Sequence, residues 1–191
     1  DGVPHQAGTI GWFYYGPEWL IVDDDLEEVK YNETGEIIVS SPTLCQGYFN
    51  DPEATAESFL TIGGKVWFRT GDFAYLGEDR YVRFLGRKRR FYFAEGVTDK
   101  VNCETIEQTL GSLPGVKLAA VIIMKGEGGE WSRAFIEASE EPAQITAESV
   151  RKGAEQKLQP WQMPREIVIM DKIPVMRSGK VNYHLLEQYG H

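Results

Sequence analysis

FAYLGEDRYVRFLGRKRR, residues 73–90, separates two differently patterned parts of the chain. Its first fourteen residues alternate apolar and polar side chains on both sides of Gly77-Glu78-Asp79, the pattern of two strands joined by a turn. The basic run Arg87–Arg90 that follows suits, by composition alone, a solvated linker. Before this stretch, TIGWFYY, WLIVD, GEIIVSS and VWFRTGD read as short strands bounded by Gly, Asp and Asn. They predict a small antiparallel β unit. The tract NDPEATAESF interrupts it with a helix, offering Asn50 or Asp51 as cap, Pro52 in the first turn and acidic residues near the positive end of the dipole. After Gly86, helices and strands alternate. Ile106, Leu110 and Leu113 fall on one helical face, Val150, Ala154 and Leu158 on another, with strands KLAAVIIM, RAFIEAS and REIVIMD around them. The expected fold class is therefore α+β: a β-rich subdomain at 1–85, a hinge at 86–90 and a compact, mobile α+β domain at 91–191.

A chain of 191 residues with 42% hydrophobic side chains has enough apolar surface for real cores. Its net charge of −9 argues against wholesale nucleic-acid binding, which needs basic surface to displace phosphate counterions, although a local phosphate site stays compatible. No apolar run approaches the ~20 residues of a membrane-spanning helix, and no charged leader precedes an apolar segment, so a soluble, cytoplasmic protein is expected. The start at Asp1, running straight into strand-like sequence, reads as a cut from something longer. Cys45 and Cys103 form neither a disulfide framework nor a CxxC pair, and His5, His184 and His191 show no ligand spacing, so no metal site is expected. Trp12, Phe13, Tyr14, Tyr15 and Trp19 suit packing between strands better than a stacking platform. The run Asp23–Asp25 with Glu27 and Glu28 lacks the glycine and terminal glutamate of a calcium loop and suits a solvated acidic turn.

Three residues suit chemistry. Asp72, in FRTGDFA, follows a strand and Gly71; its two oxygens can accept from both hydroxyls of a ribose cis-diol, or it can serve only as the turn former of a Thr-Gly-Asp loop. Arg87 carries a planar fork for a ribose or phosphate oxygen. Lys180, in RSGKVNYHL, residues 177–185, stands beside Gly179, whose backbone freedom lets a tight turn present an ammonium to an anion. The alternative for Lys180 is an ordinary solvated hairpin lysine.

The order of motifs resembles the C-terminal part of the adenylate-forming, AMP-binding superfamily: acyl-CoA synthetases, adenylation domains of non-ribosomal peptide synthetases and D-alanine–carrier-protein ligases. The matching runs are GTIG, GEIIVSSPTLCQGYFNDPEATAESF, FRTGD, GRKRR, ETIEQTL, LQPWQMPREIVIMDKIP and RSGKVNY, in the family's order over almost the whole chain. The resemblance implies a two-step reaction, in which a carboxylic acid attacks the α-phosphate of Mg-ATP to give acyl-AMP and pyrophosphate, and a thiol of CoA or a carrier-protein phosphopantetheine then takes the acyl group. It implies ribose binding by Asp72, nucleotide contact by Arg87, and neutralisation of the carboxylate and α-phosphate oxygens by Lys180. It places the hinge at Arg89, where the family usually has aspartate, and a thiol-tunnel loop at Gly96. The tract after Gly96 is about two residues longer than the family pattern, and Asn182 and Tyr183 replace its usual Asp and Arg. The family's phosphate loop, its aromatic-Gly-x-Thr-Glu motif and its acid pocket lie upstream in the N-terminal domain that would be this chain's partner. By itself the chain is not expected to complete the reaction. The alternative is a non-catalytic module that keeps the fold for nucleotide sensing or protein contact.

Overall fold

In a computed structural model, residues 8–10, 16–139 and 145–189 are described. The strand expected at TIGWFYY and the aromatic residues Trp12–Tyr15 lie largely outside them, as do His5 and His191. Contacts divide the chain into two units, residues 1–89 and 90–191.

The first unit is a five-stranded antiparallel sheet of β1 (Glu18–Val22), β2 (Gly35–Ser40), β3 (Phe59–Ile62), β4 (Lys65–Leu76) and β5 (Val82–Arg87). Helix α1 (Pro52–Ser58) precedes β3. Asp51 is its cap: its side chain accepts from the Ala54 N–H at 2.9 Å, satisfying one of the orphan donors of the first turn. The helix stops one residue sooner than its sequence pattern indicates, because Phe59 adopts extended angles and opens β3. The hairpin from β3 to β4 turns on Gly63 and Gly64, both at positive φ, which a two-residue primed turn requires.

Strand β4 organises this unit. It pairs with β2 along one edge; along the other, residues 65–68 pair with β3 and residues 72–76 with β5. Apolar residues alternate across the sheet. Ile21, Ile37, Ala74 and Val82 form one cluster, while Val22, Ile38 and Trp67 form another, as the two-residue period of a strand demands.

A 3-10 turn, Lys88–Arg90, follows β5. The second unit begins with a short ladder of β6 (Phe91–Phe93) and β7 (Lys100–Asn102) and continues into α2 (Cys103–Gly111). Strands β8 (Val116–Gly126) and β9 (Gly129–Ala138) form a long hairpin, and β10 (Glu166–Met170) pairs parallel to β9 after crossover helix α3 (Ala147–Ala154). The short helix α4 (Tyr183–Gln188) ends the described chain. Neighbouring residues of β8 and β9 point to opposite faces and nucleate two cores. Val121, Ala134 and Ile136 pack with Ile106, Leu110, Val150 and Ala154, whereas Ala120, Ile122 and Phe135 pack with Ile173 and Leu186. The α+β class is thus observed. No helix among the described residues is long and apolar enough to cross a membrane.

Candidate functional site

Thr70-Gly71-Asp72 is a bulge inside β4 rather than a loop beyond a strand. Glu36 of β2 pairs with Phe73 and Ile38 with Arg69, so three residues of β4 stand against the single Ile37 of β2. Gly71, at φ +69°, lets the strand bend there and still run on to Leu76, which corrects the reading of Asp72 as the end of a β element. The bulge is pinned from beneath by Glu36, whose buried carboxylate accepts from Arg69 and, at 3.2 Å, from the Gly71 N–H. Lys88 approaches the same carboxylate at 3.3 Å and Asp24 at 2.7 Å. Burial pulls the Glu36 pKa upward, but Arg69 and Lys88 outweigh it and hold the group below the ordinary carboxylate value. The Thr70 hydroxyl donates to the Ile37 carbonyl at 2.8 Å and accepts from the Asp72 N–H, tying the Asp72 backbone to β2.

Asp72 is the group in this cluster whose hydrogen bonding is incomplete. Its Oδ1 is shielded from solvent and has no hydrogen-bond donor, although Arg87 Nη1 lies 2.9 Å away. That nitrogen donates instead to the Thr70 carbonyl, also at 2.9 Å. Proximity without donor geometry supplies charge but leaves the lone pair open. Burial raises the Asp72 pKa, with Glu36 adding to the rise and Arg87 opposing it. Beside the bulge lies an open cleft of about 540 Å³ lined by Thr70, Gly71, Arg87, Lys88 and Arg89. The basic run is accordingly not a solvated linker: Arg87, Lys88 and Arg90 each have anionic partners, while Arg89 projects outward.

In the second unit, Lys180 sits at the tip of a narrow hairpin. Val175 bridges Val181, the Met176 N–H donates to the Lys180 carbonyl, and the Gly179 N–H donates to the Met176 carbonyl. Gly179, at φ +81°, ends the turn Met176–Gly179 in the left-handed conformation that such a three-residue hairpin loop needs. Lys180 is exposed, and no ion pair to it forms among the described residues. The hairpin's base is firmer than its tip. The Ile173 N–H donates to the buried carboxylate of Glu137 at 2.8 Å, and the Asn182 side chain caps α4.

Gly96, at φ +71°, lies in the turn Ala94–Val97 between β6 and β7, with open space where a Cβ would sit. Next to it a cleft of about 310 Å³ is lined by Tyr92, Glu95, Trp131, Ser132, Trp161 and Arg165, among others. Asp72 and Arg87 thus meet in one unit, and Gly96 and Lys180 belong to the other.

Sequence reasoning missed Glu36, Glu107, Arg90 and Tyr183. The Glu107 carboxylate accepts from the Val121 N–H at 2.7 Å, the Tyr183 hydroxyl at 2.9 Å and the Arg90 guanidinium. Burial raises the Tyr183 pKa, and the neighbouring Glu107 charge raises it further. Cys103 lies on the same buried side, and desolvation pushes its thiol up to about 12, so it stays an unreactive thiol at neutral pH. A signal was available: Glu107 lies four residues after Cys103 and three before Leu110, on the helix face that the apolar residues bury.

Residues 105–180 match the family described as AMP-binding enzyme C-terminal domain. Phenyloxazoline synthase MbtB of Mycobacterium tuberculosis is 34% identical over 85% of this chain, and a long-chain-fatty-acid–CoA ligase of Escherichia coli is 30% identical over 94%. The chain spans 11% of the first relative and 31% of the second. Among solved structures, ATP-bound MatB from Rhodopseudomonas palustris superposes with a TM-score of 0.79 at 28% identity, covering 95% of this chain and 35% of that one. Residues 105–180 thus carry the AMP-binding enzyme C-terminal domain, and over most of its length the chain is similar to these two relatives.

Proposed function

We propose that the intact protein is an ATP-dependent ligase that activates a small carboxylic acid as acyl-AMP and passes the acyl group to a thiol, of CoA or of a carrier protein's phosphopantetheine. The observation that carries this reading is the buried, donor-less Oδ1 of Asp72 at a bulge beside a cleft rich in Arg and Lys. A ribose hydroxyl is a donor of the right kind for that oxygen, since an unmet buried acceptor costs free energy that a ligand hydrogen bond recovers. Arg87 would face the ribose or phosphate oxygens next to it. The ATP-bound structural relative and the CoA ligase among the sequence relatives support a nucleotide and a thiol as two of the three reactants.

In this reading the acid's carboxylate attacks the α-phosphorus, the bond to the bridging oxygen of pyrophosphate breaks, and acyl-AMP forms. Lys180, unpaired among the described residues, neutralises the oxygens where charge gathers, an effect strongest where water is excluded. The thiol, having lost its proton, then attacks the acyl carbon and AMP leaves. Arg89 serves as the hinge between the steps and Gly96 borders the path of the thiol. Mg²⁺ enters with the phosphates of ATP, and no residue of the described chain is assigned to it. The upstream domain of the intact protein supplies the acid pocket.

The test is a pyrophosphate-exchange assay on the full-length protein across a panel of carboxylic acids. Acid-dependent exchange of label into ATP is the expected result. A folded full-length protein that binds ATP yet exchanges with none of the acids contradicts the reading.

A further inference from the structure

The Glu107 cluster lies at neither the nucleotide cleft nor the Lys180 tip, yet it ties together two segments that matter to both. Arg90 is the first residue of the second unit, directly after the basic run. Its guanidinium is largely buried, donates to the Val121 carbonyl at 2.7 Å and to Glu107, and lies 4.2 Å from the centroid of the Tyr183 ring. Tyr183 in turn is three residues beyond Lys180 and opens α4. Its hydroxyl reaches the same Glu107 oxygen that receives Arg90. A cation stacked on an aromatic ring, with both groups bonded to one carboxylate anchored on the β8 backbone, has little freedom to shift.

From this geometry we infer that Arg90, Glu107 and Tyr183 act as a positioning triad, which fixes the direction in which the hairpin carries Lys180 relative to the start of the second unit. The other leg of the hairpin is already held by Glu137 through the Ile173 N–H and by burial of Ile173. Without the triad the second leg keeps only the packing of Val181 and Leu186 and its bond to the Pro174 carbonyl, and the tip swings more freely. None of the three residues touches reactants in this account; they act through Lys180. The inference rests on the proposed role of Lys180, but its structural half can be tested without activity.

The experiment compares Tyr183→Phe, Arg90→Met and the double variant Arg90→Met/Tyr183→Arg in the full-length protein. Two readouts are used: hydrogen exchange of the segment 174–183, and the two half-reactions assayed separately. Tyr183→Phe removes one hydrogen bond while leaving the half-buried Glu107 paired, so it keeps the fold. It is expected to raise exchange in the hairpin several-fold with β8 and β9 unchanged, and to lower kcat for adenylate formation about 3- to 10-fold at constant KM for the acid. Arg90→Met leaves a half-buried carboxylate without its cation and is expected to be worse on both readouts. An arginine at 183 stands where the tyrosine hydroxyl now meets Glu107, so the double variant is expected to recover both. Hairpin exchange unchanged in Tyr183→Phe overturns the inference, whether or not the protein is a ligase. Equal loss in both half-reactions, or a rise in KM alone, overturns it as well. If hairpin exchange rises but the parent protein shows no pyrophosphate exchange, the triad stands as a structural anchor and the proposed function fails instead.

Discussion

The Asp72 bulge and the Lys180 hairpin are both irregular, glycine-dependent departures from a strand, and they are built in opposite ways. At the bulge every neighbour is tied down: Thr70 by the Ile37 carbonyl, Gly71 and Arg69 by Glu36, Arg87 by Thr70. The shielded Oδ1 of Asp72 is the exception, with no hydrogen-bond donor. At the hairpin the base is fixed and the tip is open, with an ammonium in solvent and no counter-charge among the described residues. The first arrangement suits a group that must hold a ligand in one place. The second suits a group that must be delivered and withdrawn, because a cation already paired would have to lose its partner before meeting another anion.

That contrast is open to attack at several points. The largest effect on stability is expected at Glu36→Gln, which leaves Arg69 and Lys88 facing a neutral amide. Breaking a pair this buried costs about 3 kcal/mol, the low end of the usual range because Arg69 keeps partial solvent access. Thermal or urea unfolding followed by a probe in the first unit measures it. Lys180→Ala is expected to leave unfolding unchanged, and equal losses in the two variants would erase the distinction.

Next comes Asp72→Asn, expected to weaken nucleotide binding by about 10- to 100-fold, since a hydrogen bond to a charged acceptor contributes about 1.5–3 kcal/mol. Calorimetric titration of the full-length protein with ATP reads this directly. Unaltered affinity would mean that the open oxygen is not a ribose site.

The two carboxylates also respond oppositely to pH. Glu36 has its folded pKa lowered from 4.5, so the stability it contributes is complete above that value and is lost as pH falls through the lower folded one. Asp72 has its folded pKa raised from 3.8, so the folded state binds its proton more readily and this group favours folding as pH falls through the raised value. Unfolding measured from pH 7 down to pH 3 should therefore show a shallower acid-side decline in Glu36→Gln, where Glu137 still contributes, and a steeper one in Asp72→Asn. The same slope in both variants would contradict the assigned charges.

Smallest is Gly179→Ala, where an L-residue must hold φ near +81° with no steric neighbour, a cost of about 1–2 kcal/mol confined to the hairpin. It is expected to loosen the tip, seen as faster hydrogen exchange at 174–182, and to leave the first unit untouched.

Much of this was legible in the chain itself. Alternation in WLIVD, GEIIVSS, KLAAVIIM and RAFIEAS located strands because a half- or fully buried strand imprints its two-residue period. The i, i+4 spacing of Ile106 and Leu110 likewise located a helix. The short β6–β7 ladder and β3 were not legible, since three or four residues carry too little pattern to read. Asp72, Arg87 and Lys180 stood out because glycine and charge in a tight motif are local signals. Glu36, Glu107 and Arg90 were harder to find, because their importance comes from partners 14 to 76 residues away in sequence. Arg90 in particular was concealed in a run of like charges, and only the fold separates the one guanidinium that turns inward from the three cations before it.

The proposed role of Lys180, a charge delivered to the first half-reaction, is tested most directly by Lys180→Ala in the full-length protein with the two half-reactions assayed separately. Pyrophosphate exchange is expected to fall about 100-fold or more, the usual effect of removing one charge-stabilising group. Transfer from a preformed acyl-adenylate is expected to stay within a few-fold of the parent. Equal losses in the two assays, or undiminished exchange, would contradict the account.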